Sequence, residues 1–111
     1  MKLRNSQILD AYEAIGTLLD KELPVLFSFK LAENLMKLEG YSKAFSVAVN
    51  NYRKSHPGYD PSNTETDKEI VDLLLQEKEV DIQPITETEL KQIGTITVRT
   101  LCALKPITTE G

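Results

Sequence analysis

The sequence holds very little cysteine, histidine and tryptophan, and it has no long apolar run. Of its 111 residues, one is cysteine, one is histidine and none is tryptophan. Cys102 alone cannot form a disulfide within the chain, and with His56 it cannot supply the ligand set of a zinc or haem site. No apolar run approaches the roughly 18 residues of a transmembrane helix, and the polar segment Met1–Gln7 lacks the apolar stretch of a signal peptide. We therefore expect no metal, no cofactor, no membrane association and an intracellular location.

The patterns of common catalytic sites are missing as well. The five glycines are isolated from one another, so no glycine-rich phosphate loop is present. His56 falls in a Pro-Gly loop, where a solvated side chain is expected. Cys102 falls on the apolar side of a predicted last helix, where a buried structural thiol is expected. The neighbouring carboxylates Glu87 and Glu89 could serve acid–base chemistry, but capping of a helix at Thr86 explains them better. We therefore expect no enzymatic activity.

Charge is unevenly distributed along the chain, whose formal net charge is -4. Residues 1–56 carry 8 basic and 6 acidic side chains, whereas residues 57–111 carry 5 basic and 11 acidic ones. Two interpretations are open: the halves pair with each other, or the acidic second half is an outer face that docks on a basic partner. Mimicry of nucleic acid is less favoured, because the acids form no dense block. Nucleic acid itself is not an expected partner of an acidic chain.

Hydrophobic periodicity predicts one mostly helical α+β domain over residues 1–107, followed by a polar tail at 108–111. The first element is an amphipathic helix capped by Asn5 or Ser6. Its apolar positions are spaced by one and three residues: Ile8, Ala11, Tyr12, Ile15, Leu18 and Leu19.

The longest pattern is a seam of seven positions spaced alternately by four and three residues. These positions are Leu31, Leu35, Leu38, Ser42, Phe45, Val49 and Tyr52. An average repeat of 3.5 residues is typical of a helix packed along another helix in a coiled-coil-like manner, and it predicts a helix from about Lys30 to Lys54. The seam can be covered within the chain, by the first helix and a helix at 66–77, or by a second copy. We prefer cover within the chain.

Two short strands are predicted from alternating apolar residues, at about 24–29 and 79–84. We expect them to pair as a small two-stranded ribbon at one end of a helical hairpin. The hairpin consists of the long helix and the helix at 66–77, with Ser55–Asn63 as its connecting loop.

Two short C-terminal helices complete the predicted fold. Thr86 and Glu89 have the spacing of a capping box, which predicts a helix at about 87–92. Residues 96–101 alternate like a strand but also fit a helix that begins after Thr97, and we prefer the helix.

Aromatic and acidic residues outside the predicted core are the candidates for binding a partner protein. They are Tyr41, Tyr59, His56, Asp67, Asp72 and Glu77. Tyrosine supplies contact area at low entropic cost. The alternative that Tyr41 and Tyr59 cover part of the core stays open.

Several blocks of the sequence resemble a group of small bacteriophage and prophage proteins of unknown function. The blocks are Lys2–Asn5, Leu23–Val25 with Ser28–Asn34, Glu79–Ile85, and Leu101–Ile107. The resemblance implies an N-terminal helix, a Leu-Pro strand, a long helix, an acidic helix, a Val-Asp-Ile strand and short terminal helices. It transfers no catalytic residue. It implies a phage gene product, present in the cytoplasm of a host bacterium or in the virion.

Two functional hypotheses follow. The first is a non-catalytic protein-interaction module of bacteriophage or prophage type that binds a host or phage protein. The alternative is a structural or assembly component of the virion, such as a tail or neck part or an assembly chaperone. A homo-oligomer is compatible with both hypotheses.

Overall fold

A computed structural model describes residues 1–58 and 68–110. In chain order the elements are β1 (Lys2–Arg4), α1 (Asn5–Leu18), α2 (Val25–Ser55), α3 (Lys68–Leu75), β2 (Glu77–Glu79), β3 (Ile85–Thr86), α4 (Glu87–Leu90), α5 (Val98–Leu104), a 3-10 helix (Lys105–Ile107) and β4 (Thr108–Thr109). The predicted class is confirmed. The fold is a mostly helical α+β arrangement with a long helix, a small antiparallel sheet and short C-terminal helices.

Helix α1 lies at the centre of the fold and packs against α2, α3 and α5. Its apolar face is buried, as its periodicity predicts: Ile8, Ala11, Ala14, Ile15 and Leu18. The principal partner of α2 is therefore α1, while α3 also packs on α1.

The predicted cap of α1 is wrong, because the helix begins one residue earlier. Arg4 is the N-cap residue, and its backbone N–H donates to Oε1 of Gln7 over 2.9 Å. Asn5 is inside the helix and points towards the end of α3. Its backbone N–H donates to the carbonyl of Gln76 (3.0 Å), and its Nδ2 donates to the carbonyl of Leu73 (2.8 Å). The Asn5 side chain therefore makes a long-range hydrogen bond to α3 and does not cap α1.

The predicted strand at 24–29 is also wrong, since α2 begins directly after Pro24. Proline occupies the N-cap position, and its carbonyl accepts the N–H of Ser28 over 2.9 Å. Helical spacing places Phe27 and Leu31 on one face, where both are buried. Val25, Phe27 and Phe29 alternate in the sequence like the residues on one face of a strand, but only Phe27 is buried and the other two are exposed. So short an alternation does not distinguish a strand from a helix.

The observed strand pairs join different segments from those that the sequence predicts. β1 and β2 pair antiparallel, with Leu3 opposite Lys78, and β3 pairs in parallel with β4. Residues 80–84 lie outside any strand, although Val80 is buried and Asp81 exposed as the alternation predicts. Two residues of the predicted polar tail, in β4, therefore belong to the fold.

The core is concentrated around α1 and the first half of α2. On α2 the buried apolar positions are Phe27, Leu31 and Leu38. Beyond Leu38 the predicted seam is only half-buried, at Ser42, Phe45, Val49 and Tyr52. This follows from length, because α1 has 14 residues and spans about 21 Å, whereas the 31 residues of α2 span about 46 Å.

The C-terminal capping predictions are confirmed. Thr86 Oγ1 accepts the N–H of Glu89 over 3.1 Å, and Glu89 Oε1 accepts the N–H of Thr86 over 2.9 Å, which is a complete capping box for α4. Residues 98–104 are helical, with Thr97 Oγ1 accepting the N–H of Thr100 over 3.2 Å. The helix interpretation of this segment is therefore correct.

Part of the predicted connection between α2 and α3 lies outside the described residues. This applies to residues 59–63 of the predicted loop and to residues 66 and 67, at the start of the helix predicted at 66–77. None of the helices in the described ranges is both long enough and apolar enough to cross a bilayer.

Candidate functional site

A groove of about 480 Å³ lies between the second half of α2 and the segment formed by α3 and β2. We call it the α2–α3 groove. Its lining includes Tyr41, Ala44, Phe45 and Ala48 from α2, Leu73 from α3 and Lys78 from β2. Apolar side chains thus dominate a surface that the described residues leave open.

A row of small residues on α2 explains why the groove exists. Gly40, Ala44 and Ala48 follow one another at intervals of four, so they form one ridge of the helix surface. A Cβ atom placed on Gly40 would have no heavy atom within 4 Å, which shows open space at this end of the row. Small side chains here leave a trough beside Tyr41 and Phe45.

Tyr41 combines the two roles that the sequence left open. It is half-buried and packs against the core, and its hydroxyl donates to the carbonyl of Glu79 over 3.0 Å. This bond attaches α2 to β2. The ring also lines the α2–α3 groove, so it contributes to any surface that a partner would meet.

Exposed carboxylates lie on the two elements that form one wall of the groove, although none is among its described lining residues. They are Glu69 and Asp72 on α3 and Glu77 on β2. Glu79 accepts a hydrogen bond from the amino group of Met1 over 2.8 Å, and this bond and the positive charge lower the pKa of its carboxyl group. The Glu79 carboxylate is therefore paired with the amino group of Met1.

The predicted binding residues are only partly brought together. Tyr41 lines the groove, while Asp72 and Glu77 are chain neighbours of the groove residues on α3 and β2. His56 instead ends α2: its ring stacks on Tyr52 with centroids 3.9 Å apart, and Nδ1 lies 3.1 Å from the carbonyl oxygen of that tyrosine. Tyr59 and Asp67 lie outside the described residues.

The sequence did not indicate Phe45 or Leu73 as site residues. Phe45 belongs to the seam, which we expected to be covered within the chain, and Leu73 is an apolar residue of the helix predicted at 66–77. The available signal was the row of small residues beside the seam at 40, 44 and 48, which marks a place where side chains leave room.

A second groove, of about 460 Å³, lies between α1 and α5 and contains Cys102. Cys102 is exposed, so the prediction of a buried thiol is wrong. The reason is helical geometry: Leu104, which is buried, follows two positions later and therefore lies about 200° away around the helix.

In the described ranges, no cluster of three or more His, Cys, Asp or Glu side chains could hold a metal ion.

Helix α2 also exposes large apolar side chains on the side that faces away from the core. The exposed fractions are Val25 82%, Leu26 85%, Phe29 63%, Met36 73% and Val47 59%. Phe29 follows the buried Phe27 by two positions and Met36 precedes the buried Leu38 by two, so each points about 200° away from the core face. Exposed apolar residues aligned along one helix indicate a contact surface.

No known protein family matches this chain, and neither a curated protein nor a solved structure matches it.

Proposed function

We propose that this chain is a non-catalytic protein-interaction module of bacteriophage or prophage type, which binds an apolar segment of a basic host or phage protein in the α2–α3 groove. One observation carries the proposal: an apolar groove is formed in part by α3 and β2, two elements that also carry the exposed carboxylates of Asp72 and Glu77. The phage assignment rests on the resemblance of the sequence blocks described above.

Apolar anchors supply the binding energy in this proposal. Tyr41, Phe45 and Leu73 converge on one groove, and interface energy concentrates where aromatic and aliphatic side chains fill such pockets. Burial of one large apolar partner side chain contributes about 1.5–3 kcal/mol. Two or three such side chains from one segment contribute about 3–9 kcal/mol against an entropic cost of association of about 4–15 kcal/mol, so we expect weak binding.

Charge decides which partner fits. Asp72 and Glu77 are exposed, and the whole chain carries a net charge of -4. Among the described lining residues the one charged side chain is Lys78, so the attraction comes from carboxylates outside the lining. A basic segment is therefore attracted and an acidic one repelled, with an effect on association rate that falls as salt rises.

The proposal is tested with two short amphipathic peptides that share one apolar face and carry either lysines or glutamates on the other. Each is titrated into the ¹⁵N-labelled protein and followed by amide chemical shifts. We expect saturable shifts around Tyr41, Phe45 and Leu73 with the basic peptide, and at least about tenfold weaker binding of the acidic one. Shifts elsewhere, or equal affinity for both peptides, would contradict the proposal.

A charge-reversal variant tests whether the carboxylates on α3 and β2 cause the preference for the basic peptide. Asp72→Lys with Glu77→Lys should weaken binding of the basic peptide several-fold. The matched control is Asp20→Lys with Glu22→Lys, which makes the same charge change at exposed residues between α1 and α2. If the control weakens binding as much as the test variant, net charge is responsible and the groove is not.

A virion structural or assembly component is the second candidate function. The exposed apolar side chains on the outer side of α2 favour it, because an assembly component needs surfaces for self-association. It predicts rings or larger assemblies as concentration rises, measured by light scattering. A chain that stays monomeric or dimeric favours the interaction module.

A further inference from the structure

The outer side of α2 carries a regular stripe of side chains, which we call the outer α2 stripe. Its members are Val25, Phe29, Ala32, Met36, Gly40, Lys43 and Val47. Every member is exposed except Ala32, which is half-buried, and the stripe lies opposite the core face of Phe27, Leu31 and Leu38. It shares only Gly40 with the α2–α3 groove.

We propose that the outer α2 stripe is the interface of a two-fold symmetric dimer in which the α2 helices of two copies pack antiparallel. This inference does not rest on the groove-binding proposal, because six of the seven stripe members lie outside the described groove lining. Three features carry it: the spacing of the stripe, the sizes of the side chains and the positions of the charges.

The spacing of the stripe is the same in both directions from Met36. The steps are four, three and four residues before Met36, and four, three and four after it. An antiparallel two-fold pair centred on Met36 therefore brings each stripe position opposite another stripe position. The facing pairs are Met36 with Met36, Ala32 with Gly40, Phe29 with Lys43, and Val25 with Val47.

This spacing also keeps the stripe nearly straight. Four, three and four residues make an 11-residue repeat, which averages 3.67 residues per turn and lies close to the 3.6 of a straight α-helix. The contact can thus run along the whole stripe, from Val25 to Val47, without strong supercoiling.

Side-chain sizes fit a close approach near the centre. Ala32 faces Gly40 on either side of Met36, and a Cβ placed on Gly40 meets nothing within 4 Å in the single chain. Small residues facing one another allow two helix axes to approach closely enough for the methionines and valines to make contact.

The charges favour the antiparallel arrangement over a parallel one. In a parallel pair Lys43 would face Lys43. In the antiparallel pair its ammonium group, which pairs with Glu39 of its own helix over 3.0 Å, faces the ring of Phe29, where a cation–π contact can form. On one flank of the stripe, Glu33 of each copy approaches Lys37 of the other. Lys37 has only a weak competing contact within the chain, with the fully exposed Asp81 at 3.8 Å.

The size of the stripe sets the expected strength. From Val25 to Val47 it is roughly 33 Å long, and a single helix pair of that length buries less than the ~800 Å² per partner of a standard stable complex. We therefore expect a dissociation constant on the order of micromolar, so that dilution separates the copies.

Sedimentation velocity over a concentration series tests the proposal first. The wild-type chain should pass from 12.5 kDa to twice that mass as concentration rises. Met36→Lys places two like charges at the two-fold axis and should weaken the dimer at least tenfold. The control is Asn51→Lys, which adds the same charge at an exposed position beyond the stripe and should leave dimerisation unchanged. Circular dichroism verifies that both variants fold.

Cross-linking tests the orientation. In a Cys102→Ser background, single-cysteine variants Val25→Cys and Val47→Cys are mixed and treated with a short bis-maleimide. The antiparallel pair predicts that the mixed Val25→Cys/Val47→Cys product dominates over both homodimers. A wild-type chain that stays monomeric at high concentration, a dimer insensitive to Met36→Lys, or cross-linking only between like variants would each overturn the proposal.

Discussion

At the scale of single residues, Asn34 shows how a buried polar group holds a segment that has no strand partner. Its side chain is 1% exposed, and it exchanges two hydrogen bonds with the backbone of Gln83: Nδ2 donates to the carbonyl (2.8 Å) and Oδ1 accepts the N–H (3.0 Å). The side-chain amide of Asn34 thus makes the two backbone hydrogen bonds that a neighbouring strand would otherwise make. These bonds hold residues 80–84 against α2, although this segment forms no β-ladder.

Replacing Asn34 should be costly because it leaves two backbone groups without partners. We expect Asn34→Ala to lower the free energy of unfolding by about 2–3 kcal/mol, measured by urea denaturation. The control is Gln83→Ala, which removes an exposed side chain and keeps the backbone groups, and should change stability little. A loss below about 0.5 kcal/mol for Asn34→Ala would show that water replaces these bonds.

Glu89 links α4 to the start of α2 and makes stability depend on pH. Burial raises the pKa of its carboxyl group, but hydrogen bonds from Lys30 Nζ (2.8 Å) and the N–H of Thr86 (2.9 Å), with the charge of Lys30, lower that pKa overall. A carboxylate whose pKa is lower in the folded state stabilises the fold above its unfolded pKa. That stabilisation is lost as the pH falls through the folded pKa.

The stabilising effect of Glu89 should therefore be full at neutral pH and fade below about pH 4.5. We expect Glu89→Gln to be less stable than wild type at pH 7, with the gap closing as the pH falls into the acid range. Denaturant unfolding at several pH values measures it. Glu22→Gln, at an exposed position between α1 and α2, serves as the control. If the stability difference between Glu89→Gln and wild type persists in acid, the substitution acts through altered hydrogen-bond geometry and not through the lost negative charge.

At the scale of elements, α2 is one continuous helix in two environments. Its first half buries Phe27, Leu31, Asn34 and Leu38 at 2% exposure or less. Its second half offers only half-buried seam residues from Ser42 to Tyr52. Tertiary packing, more than propensity, stabilises helices in water, so the two halves should differ in local stability.

Amide hydrogen exchange measures this difference. Under native conditions and at low protein concentration, we expect amides of residues 31–38 to exchange only on global unfolding. Those of residues 45–55 should exchange through local fraying, at rates at least about tenfold higher. Equal protection along the whole helix would contradict this division. Binding of the basic peptide in the α2–α3 groove should raise protection in the second half.

At the scale of the whole molecule, α2 determines an elongated shape. The extents are 46 × 25 × 20 Å and the radius of gyration is 15.4 Å, against about 13 Å for a compact chain of this length. The long axis equals the length of α2. With the core on one side and at one end, the helix leaves exposed the α2–α3 groove and the outer α2 stripe, two adjoining surfaces that share Gly40. The peptide and dimerisation experiments therefore test largely different residues of α2, and failure of one leaves the other standing.

The sequence by itself determined the features that depend on residues close together in the chain. The capping box at Thr86 and the cap at Thr97 form between groups three residues apart, so spacing alone predicts them. The amphipathic face of α1 and the existence of a long helix follow from periodicity, which needs no knowledge of a partner. For the candidate site, the sequence proposed Tyr41, Asp72 and Glu77; Tyr41 lines the groove and both acids are exposed outside its described lining.

Only the tertiary structure decided the features that depend on distant contacts. The pairing of β1 with β2 joins segments more than 70 positions apart, as Leu3 opposite Lys78 shows, and no local pattern specifies it. Burial of Phe27 against the core resolved a short alternating run into a helix, and the packing of α5 turned Cys102 outwards. The α2–α3 groove arises because α1 is too short to cover α2, a mismatch of lengths that becomes visible only when the helices are packed.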